Sequence, residues 1–143
     1  MTQPQGRIVV GVDGSPASID ALKWATRQAT LTGATVEAVI SWQHPRGYGG
    51  YPISVEVDWP SNAHSVLDTA VAEALASEPG VVSRKVVEGH PAKVLVDAAV
   101  GADLLVVGSR GHGGFVGMLL GSVSEQVAAH ASCPVLVVRD PAR

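Results

Sequence analysis

DLLVVGSRGHGGFVGMLLGSVSEQVAAHASC (Asp103–Cys133) is the stretch on which the reading of this chain turns. An apolar run, Leu104–Val107, leads into Gly108; a glycine-studded loop follows, and a helical pattern opens at Gly121-Ser122. The spacing is Gly108-x-x-Gly111, nine residues, then Gly121-Ser122. Glycines at a strand-to-helix junction allow tight turns and close approach of the backbone to a ligand. The first N–H groups of a helix, with its dipole, favour an anion such as phosphate. The segment reads as a phosphate cradle.

Working outward, apolar runs at Ile8–Val12, Val36–Trp42, Val81–Val87, Leu104–Gly108 and Pro134–Arg139 predict five strands. The first, fourth and fifth are nearly unbroken β-branched or leucine runs, as expected of parallel strands covered on both faces. Between them, Leu22, Ala25 and Ala29 share a helical face; so do Val66 or Leu67, Ala70, Val71 and Ala74; so do Val94, Leu95 and Ala98. Start signals are Ser15-Pro16, Ser61 or Asn62, His90-Pro91, and the capping-box pattern Ser122-Val-Ser-Glu125. Gly33 and Gly101 stand where helices should stop.

Strict βαβαβαβαβ alternation predicts a Rossmann-like three-layer α/β/α fold, with a five-stranded parallel sheet and four helices. The expected organisation is a single domain over residues 1–143, with residues 1–6 disordered. Such sheets bind ligands beyond the carboxyl ends of their strands, where strand order reverses. If the first and fourth strands are neighbours, Asp13 and the Gly108–Ser122 loop meet in one crevice. The connection from Gln43 to Pro60 is long for this architecture and reads as a lid, a surface loop or a partner surface.

Composition narrows the function classes. The 143 residues are 46% hydrophobic and 16% charged, which suits a folded α/β protein. A net charge of −3, with 10 scattered Lys and Arg, provides no electrostatic footprint for nucleic acid or a membrane surface. No apolar run reaches membrane-spanning length, and the polar start Met1–Gly6 has no signal-peptide core. The lone Cys133 reads as a small buried residue, and the expected location is a reducing cytoplasm.

At the end of the first strand, Gly11-Val-Asp13-Gly-Ser15 places a carboxylate where it can bind ribose or adenine, or hold Mg²⁺ through water. The alternative is a carboxylate that caps the first helix. GxxxxGK(S/T) and GxGxxG are both absent, and the lysines, Lys23, Lys85 and Lys93, lie in helix or strand segments. Phosphate would then be held by backbone N–H groups and the hydroxyl of Ser122, with Ser109, Ser124, Arg110 and His112 as further candidates. His44, His64, His90 and His130 have no metal-ligand spacing. His112-Gly-Gly114 resembles an esterase loop, but the GxSxG elbow is missing. No acid and base stand at an interpretable spacing, so binding is expected, with at most weak ATP hydrolysis or self-phosphorylation.

From Ile8-Val-Val-Gly-Val-Asp13-Gly-Ser15 to Cys133-Pro-Val-Leu-Val-Val138 the chain resembles a universal stress protein of the actinobacterial kind. Gly108-Ser-Arg-Gly111, nine residues and Gly121-Ser122 match the G-2x-G-9x-G-(S/T) signature of that family's ATP-binding branch. The resemblance implies ATP with Mg²⁺ as ligand and a role as nucleotide-dependent regulator of stress response or dormancy. A slow ATPase, a self-phosphorylating protein or a cyclic-AMP binder are the alternatives. It implies that Asp13 contacts adenosine, and that Gly11, Val12 and Ser41, with Ile40, line the adenine pocket. Gly108, Gly111, Gly121, Ser122 and Val123 would hold ribose and phosphates, with Arg110 and Met118 inside the motif. The family often has an aliphatic residue where Ser41 falls. It further implies a homodimer through the edge of strand 134–139.

Overall fold

The computed structural model describes residues 6–43, 58–110 and 120–139. Among the described residues nine elements alternate: β1 (Arg7–Gly11), α1 (Pro16–Thr32), β2 (Thr35–Trp42), α2 (Trp59–Ser77), β3 (Val82–Glu88), α3 (Pro91–Ala98), β4 (Leu104–Gly108), α4 (Ser122–His130) and β5 (Val135–Val138). The strands form one parallel sheet in the order β3-β2-β1-β4-β5. The chain winds outward from β1 to β3, then crosses back to place β4 on the other side of β1. Strand order therefore reverses between β1 and β4, as the sequence reading required.

Period-two alternation sorts each strand's side chains between two cores. Ile8, Val10, Val36, Ala38 and Val106 pack with Leu22, Ala25, Leu67 and Val71 beneath α1 and α2. Val9, Val39, Leu105 and Val107 pack with Ala92, Leu95 and Val127 beneath α3 and α4. The arrangement is the three-layer α/β/α fold that the alternation predicts. Among the described residues no helix is long and apolar enough to cross a membrane.

β5 departs from expectation. Its residues Val135–Val138 are half-buried throughout, not covered on both faces, because the strand forms the sheet edge. Cys133, just before it, is likewise half-buried, and burial pushes its thiol pKa up.

The helix starts divide between agreement and correction. Ser15 caps α1, accepting the Ser18 N–H at 3.3 Å, with Pro16 at the first turn. His90 caps α3 through Nδ1, which accepts the Ala92 N–H at 3.3 Å. Gly33 ends α1 in the left-handed region at φ 80°. α2, however, starts earlier than Ser61 or Asn62 indicated. Asp58 is its cap, accepting the Ser61 N–H at 3.1 Å and the Ser61 hydroxyl at 2.8 Å. Trp59 and Pro60, assigned to the long connection, are thus its first residues; positions 44–57 of that segment lie outside the described residues.

At α4 the expected capping box does not form. Gly121 is the N-cap, without a side-chain cap bond, and Ser122 is the first helical residue. The start is fixed from inside instead: Gly121 N–H donates to the Ser109 carbonyl at 2.6 Å, and the Ser124 hydroxyl lies 2.9 Å from that same oxygen.

Candidate functional site

The two segments singled out at opposite ends of the sequence meet at the reversal. Register pairs Val10 with Val106, so the carboxyl ends of β1 and β4 lie side by side. Beyond them opens a cavity of about 500 Å³, within the usual range for small-molecule sites. Gly11, Val12, Asp13, Ser41, Gly108, Arg110, Gly121, Ser122 and Val123 all line it. Gly111, His112 and Met118 lie outside the described residues.

The turn after β1 is tied by its own polar groups. Val12 N–H extends the ladder to the Val39 carbonyl at 2.9 Å. One carboxylate oxygen of Asp13 accepts the Ser15 N–H at 2.9 Å, while Gly14 takes φ 85°. The Ser18 hydroxyl, buried behind them, donates to the Ser15 carbonyl at 2.9 Å. Asp13 therefore organises the approach to α1 with one oxygen, but Ser15 is the cap. Asp13 remains exposed at the cavity wall.

The glycines have a second cause. A Cβ on Gly108 would stand 2.7 Å from the Ala17 Cβ and 2.9 Å from its carbonyl carbon, so α1 packs against the bare backbone there. On Gly11 a Cβ would meet Leu95 Cδ1 at 2.6 Å, a contact with the far end of a flexible side chain. Close helix-to-strand packing accounts for Gly108 whether or not a ligand is bound, and constrains Gly11 less.

The start of α4 is built unlike the other helix starts. Among the described helices, α1, α2 and α3 have side-chain caps, and α4 does not. Its first turn lines the cavity at Gly121, Ser122 and Val123, and with the Gly121 N–H given to Ser109, the N–H groups of Ser122 and Val123 are the helix-start donors there. Ser122 is exposed, whereas Ser124 is buried, with its hydroxyl within 3.0 Å of the Ser109 and Gly121 carbonyls. Ser124, which also lines the cavity, and Ser109 brace the start of the helix from beneath. Asp13 and Arg110 are the charged side chains among the described lining residues.

Opposite, the wall is apolar and aromatic: Val39, Ile40, Trp42, Trp59, Ala63 and Val66. Ser41 is half-buried among them, registered with Val87 of β3. Sequence reasoning missed Trp59 and Asn62 because it placed the first in a loop and read the second as a cap. The spacing Trp59, Asn62, Ala63, Val66 is a helical face, and extending the α2 periodicity by one turn would have found them.

Residues 5–139 match the family described as the universal stress protein family. The chain belongs to that family. A universal stress protein of Mycobacterium tuberculosis is 40% identical over 141 residues, covering 95% of this chain and 46% of that protein. One of Mycolicibacterium smegmatis is 40% identical over 137 residues, covering 92% of this chain and 45% of that protein. The chain spans about half the length of the curated relatives it matches. Among solved structures, a universal stress protein in complex with cAMP superposes with a TM-score of 0.71 at 30% identity, over 96% of this chain and 99% of that one. A universal stress protein from Archaeoglobus fulgidus gives 0.70 at 28% identity, over 93% of each chain.

Proposed function

We propose that this universal stress protein binds ATP in the cavity at the β1/β4 reversal and acts as a nucleotide-dependent regulator of stress response or dormancy. One observation carries the reading. Asp13 and the residues Gly108, Arg110, Gly121, Ser122 and Val123, far apart from it in sequence, line a single cavity whose α4 wall is a helix N-terminus without a side-chain cap. These residues fit the group: α4 N–H groups and the Ser122 hydroxyl for phosphates, Asp13 for ribose, and an apolar wall for adenine. Gly11, Val12 and Ser41 would border the base, with Gly108, Gly111 and Arg110 on the phosphate side.

Mg²⁺ would ride on the phosphates, with Asp13 reaching it through water. The nucleotide supplies triphosphate chemistry; the chain supplies orientation. Proton abstraction has thin support, since Asp13 is the carboxylate among the described lining residues and one of its oxygens accepts the Ser15 N–H. Turnover is therefore expected to be weak at most, and Ser122 is the better-placed hydroxyl for self-phosphorylation because Ser124 is buried.

A cyclic-AMP ligand is the second reading, favoured by the cAMP complex of the 30%-identical relative. Direct competition between ATP and cyclic AMP separates the two. Calorimetric titration of Gly121→Asp tests the site itself: bulk and negative charge where N–H groups face phosphate should abolish binding. Retained affinity in a folded variant would remove the assignment. The proposal extends to a single cytoplasmic nucleotide-binding domain over residues 1–143, paired with a second copy through the 134–139 edge.

A further inference from the structure

α2 opens with Trp59-Pro-Ser-Asn62-Ala-His-Ser-Val66, and the i, i+3, i+4, i+7 spacing puts Trp59, Asn62, Ala63 and Val66 on one face. All four line the cavity. Ala63 is buried in the α1/α2-side core and Val66 packs against it. Trp59 is half-buried and belongs to neither apolar core, and Asn62 is exposed. Core packing therefore explains the lower half of this face and not its first turn. A chain that is 4% aromatic presents two indoles here, Trp59 from α2 and Trp42 from the end of β2. The Gly89 N–H, donating to the Trp42 carbonyl at 2.8 Å, fixes the backbone at the end of β2.

Position in the sheet says what the turn could hold. β2 stands two strands from β4. At roughly 4.8 Å per strand, β2, which ends in Trp42, and β4, which ends in Gly108, run about 10 Å apart in the sheet. That is the separation a nucleotide bridges between its phosphates and its base. An indole offers a flat face for stacking a heteroaromatic ring. A primary amide beside it offers a donor and an acceptor together, which match adenine N7 and N6–H; guanine presents two acceptors on that edge.

We propose that the first turn of α2 is the base-reading wall of the cavity, with Trp59 stacking on the base and Asn62 selecting adenine over guanine. The proposal rests on the nucleotide reading of the site and adds to it an element outside the strand-end loops. Asp58 acts through the turn: by holding the Ser61 N–H and hydroxyl it sets where Trp59 and Asn62 stand.

The test is titration of wild type, Trp59→Ala, Trp59→Phe and Asn62→Ala with ATP and GTP, with thermal melts as a folding control and Gly121→Asp as the phosphate-side comparison. Trp59→Ala should weaken ATP roughly tenfold or more, and Trp59→Phe should stay within about threefold of wild type, because a smaller ring still stacks. Asn62→Ala should bring the ATP-to-GTP preference down about tenfold. ATP should change wild-type tryptophan emission, and Trp59→Phe should lose much of that change. Trp59→Ala and Asn62→Ala that bind both nucleotides as wild type does, while Gly121→Asp binds neither, would overturn the wall and leave the site standing. A wild type that binds no adenine nucleotide would remove both.

Discussion

Gly108 and Gly11 sit in equivalent places, each at the carboxyl end of a central strand, yet their neighbours differ in stiffness. The Cβ of an alanine at Gly108 would press on the Ala17 backbone, with its carbonyl carbon at 2.9 Å and oxygen at 3.1 Å. At Gly11 the obstruction is the tip of Leu95, which can rotate. Gly108→Ala should therefore cost about 1–3 kcal/mol, as overpacking against an unyielding element does, and more than Gly11→Ala. Denaturant unfolding of both variants checks the order; equal costs would mean that α1 can shift away from β4. The sequence showed that Gly108 is special but not why. Glycine spacing is the same whether the backbone approaches a phosphate or a helix, and the neighbour, Ala17, is distant in sequence. Asp13 was similarly ambiguous, and it partly serves both roles: it accepts the Ser15 N–H and also borders the cavity.

Element starts were legible where the cap directly preceded a proline, as at Ser15-Pro16 and His90-Pro91. They were misread where several polar residues compete. Asp58, Ser61 and Asn62 are all plausible caps, and the carboxylate prevails by accepting two hydrogen bonds from Ser61. Those bonds, the side-chain one first, hold the Asp58 carboxyl below the ordinary aspartate range. A depressed folded value means the cap is fully effective above the unfolded pKa, near 4, and is lost as pH falls through the folded one. The Ser61 amide resonance should therefore move as pH is lowered below about 4, with fraying of the first α2 turn. Asp58→Asn, which keeps an acceptor without the titration, should flatten that response. A Ser61 amide indifferent to pH in the wild type would contradict the cap. At α4 the capping-box pattern failed because the Ser109 carbonyl draws in the Gly121 N–H, making the glycine the cap and leaving Ser122 inside the helix.

For the whole molecule, the alternation of apolar runs was enough to specify the architecture, since right-handed crossovers leave few ways to order five parallel strands. What alternation cannot say is which strands end up at the edges. The two edges are not alike. β3 exposes Ser83, Arg84, Lys85 and Glu88, charges of the kind that discourage edge pairing, whereas β5 is Val135-Leu-Val-Val138 and half-buried. That contrast supports the proposal that a second copy pairs along β5. Val137→Lys should convert a dimer to a monomer in light scattering without loss of secondary structure, and a wild type that is monomeric at high concentration would contradict it. The central claim, however, is the nucleotide. Purified without added ligand, the chain should release an adenine nucleotide on denaturation or, once emptied, bind ATP with a micromolar Kd, about 8 kcal/mol, that Gly121→Asp abolishes. Binding of neither ATP nor cyclic AMP by the folded wild-type protein would contradict the account.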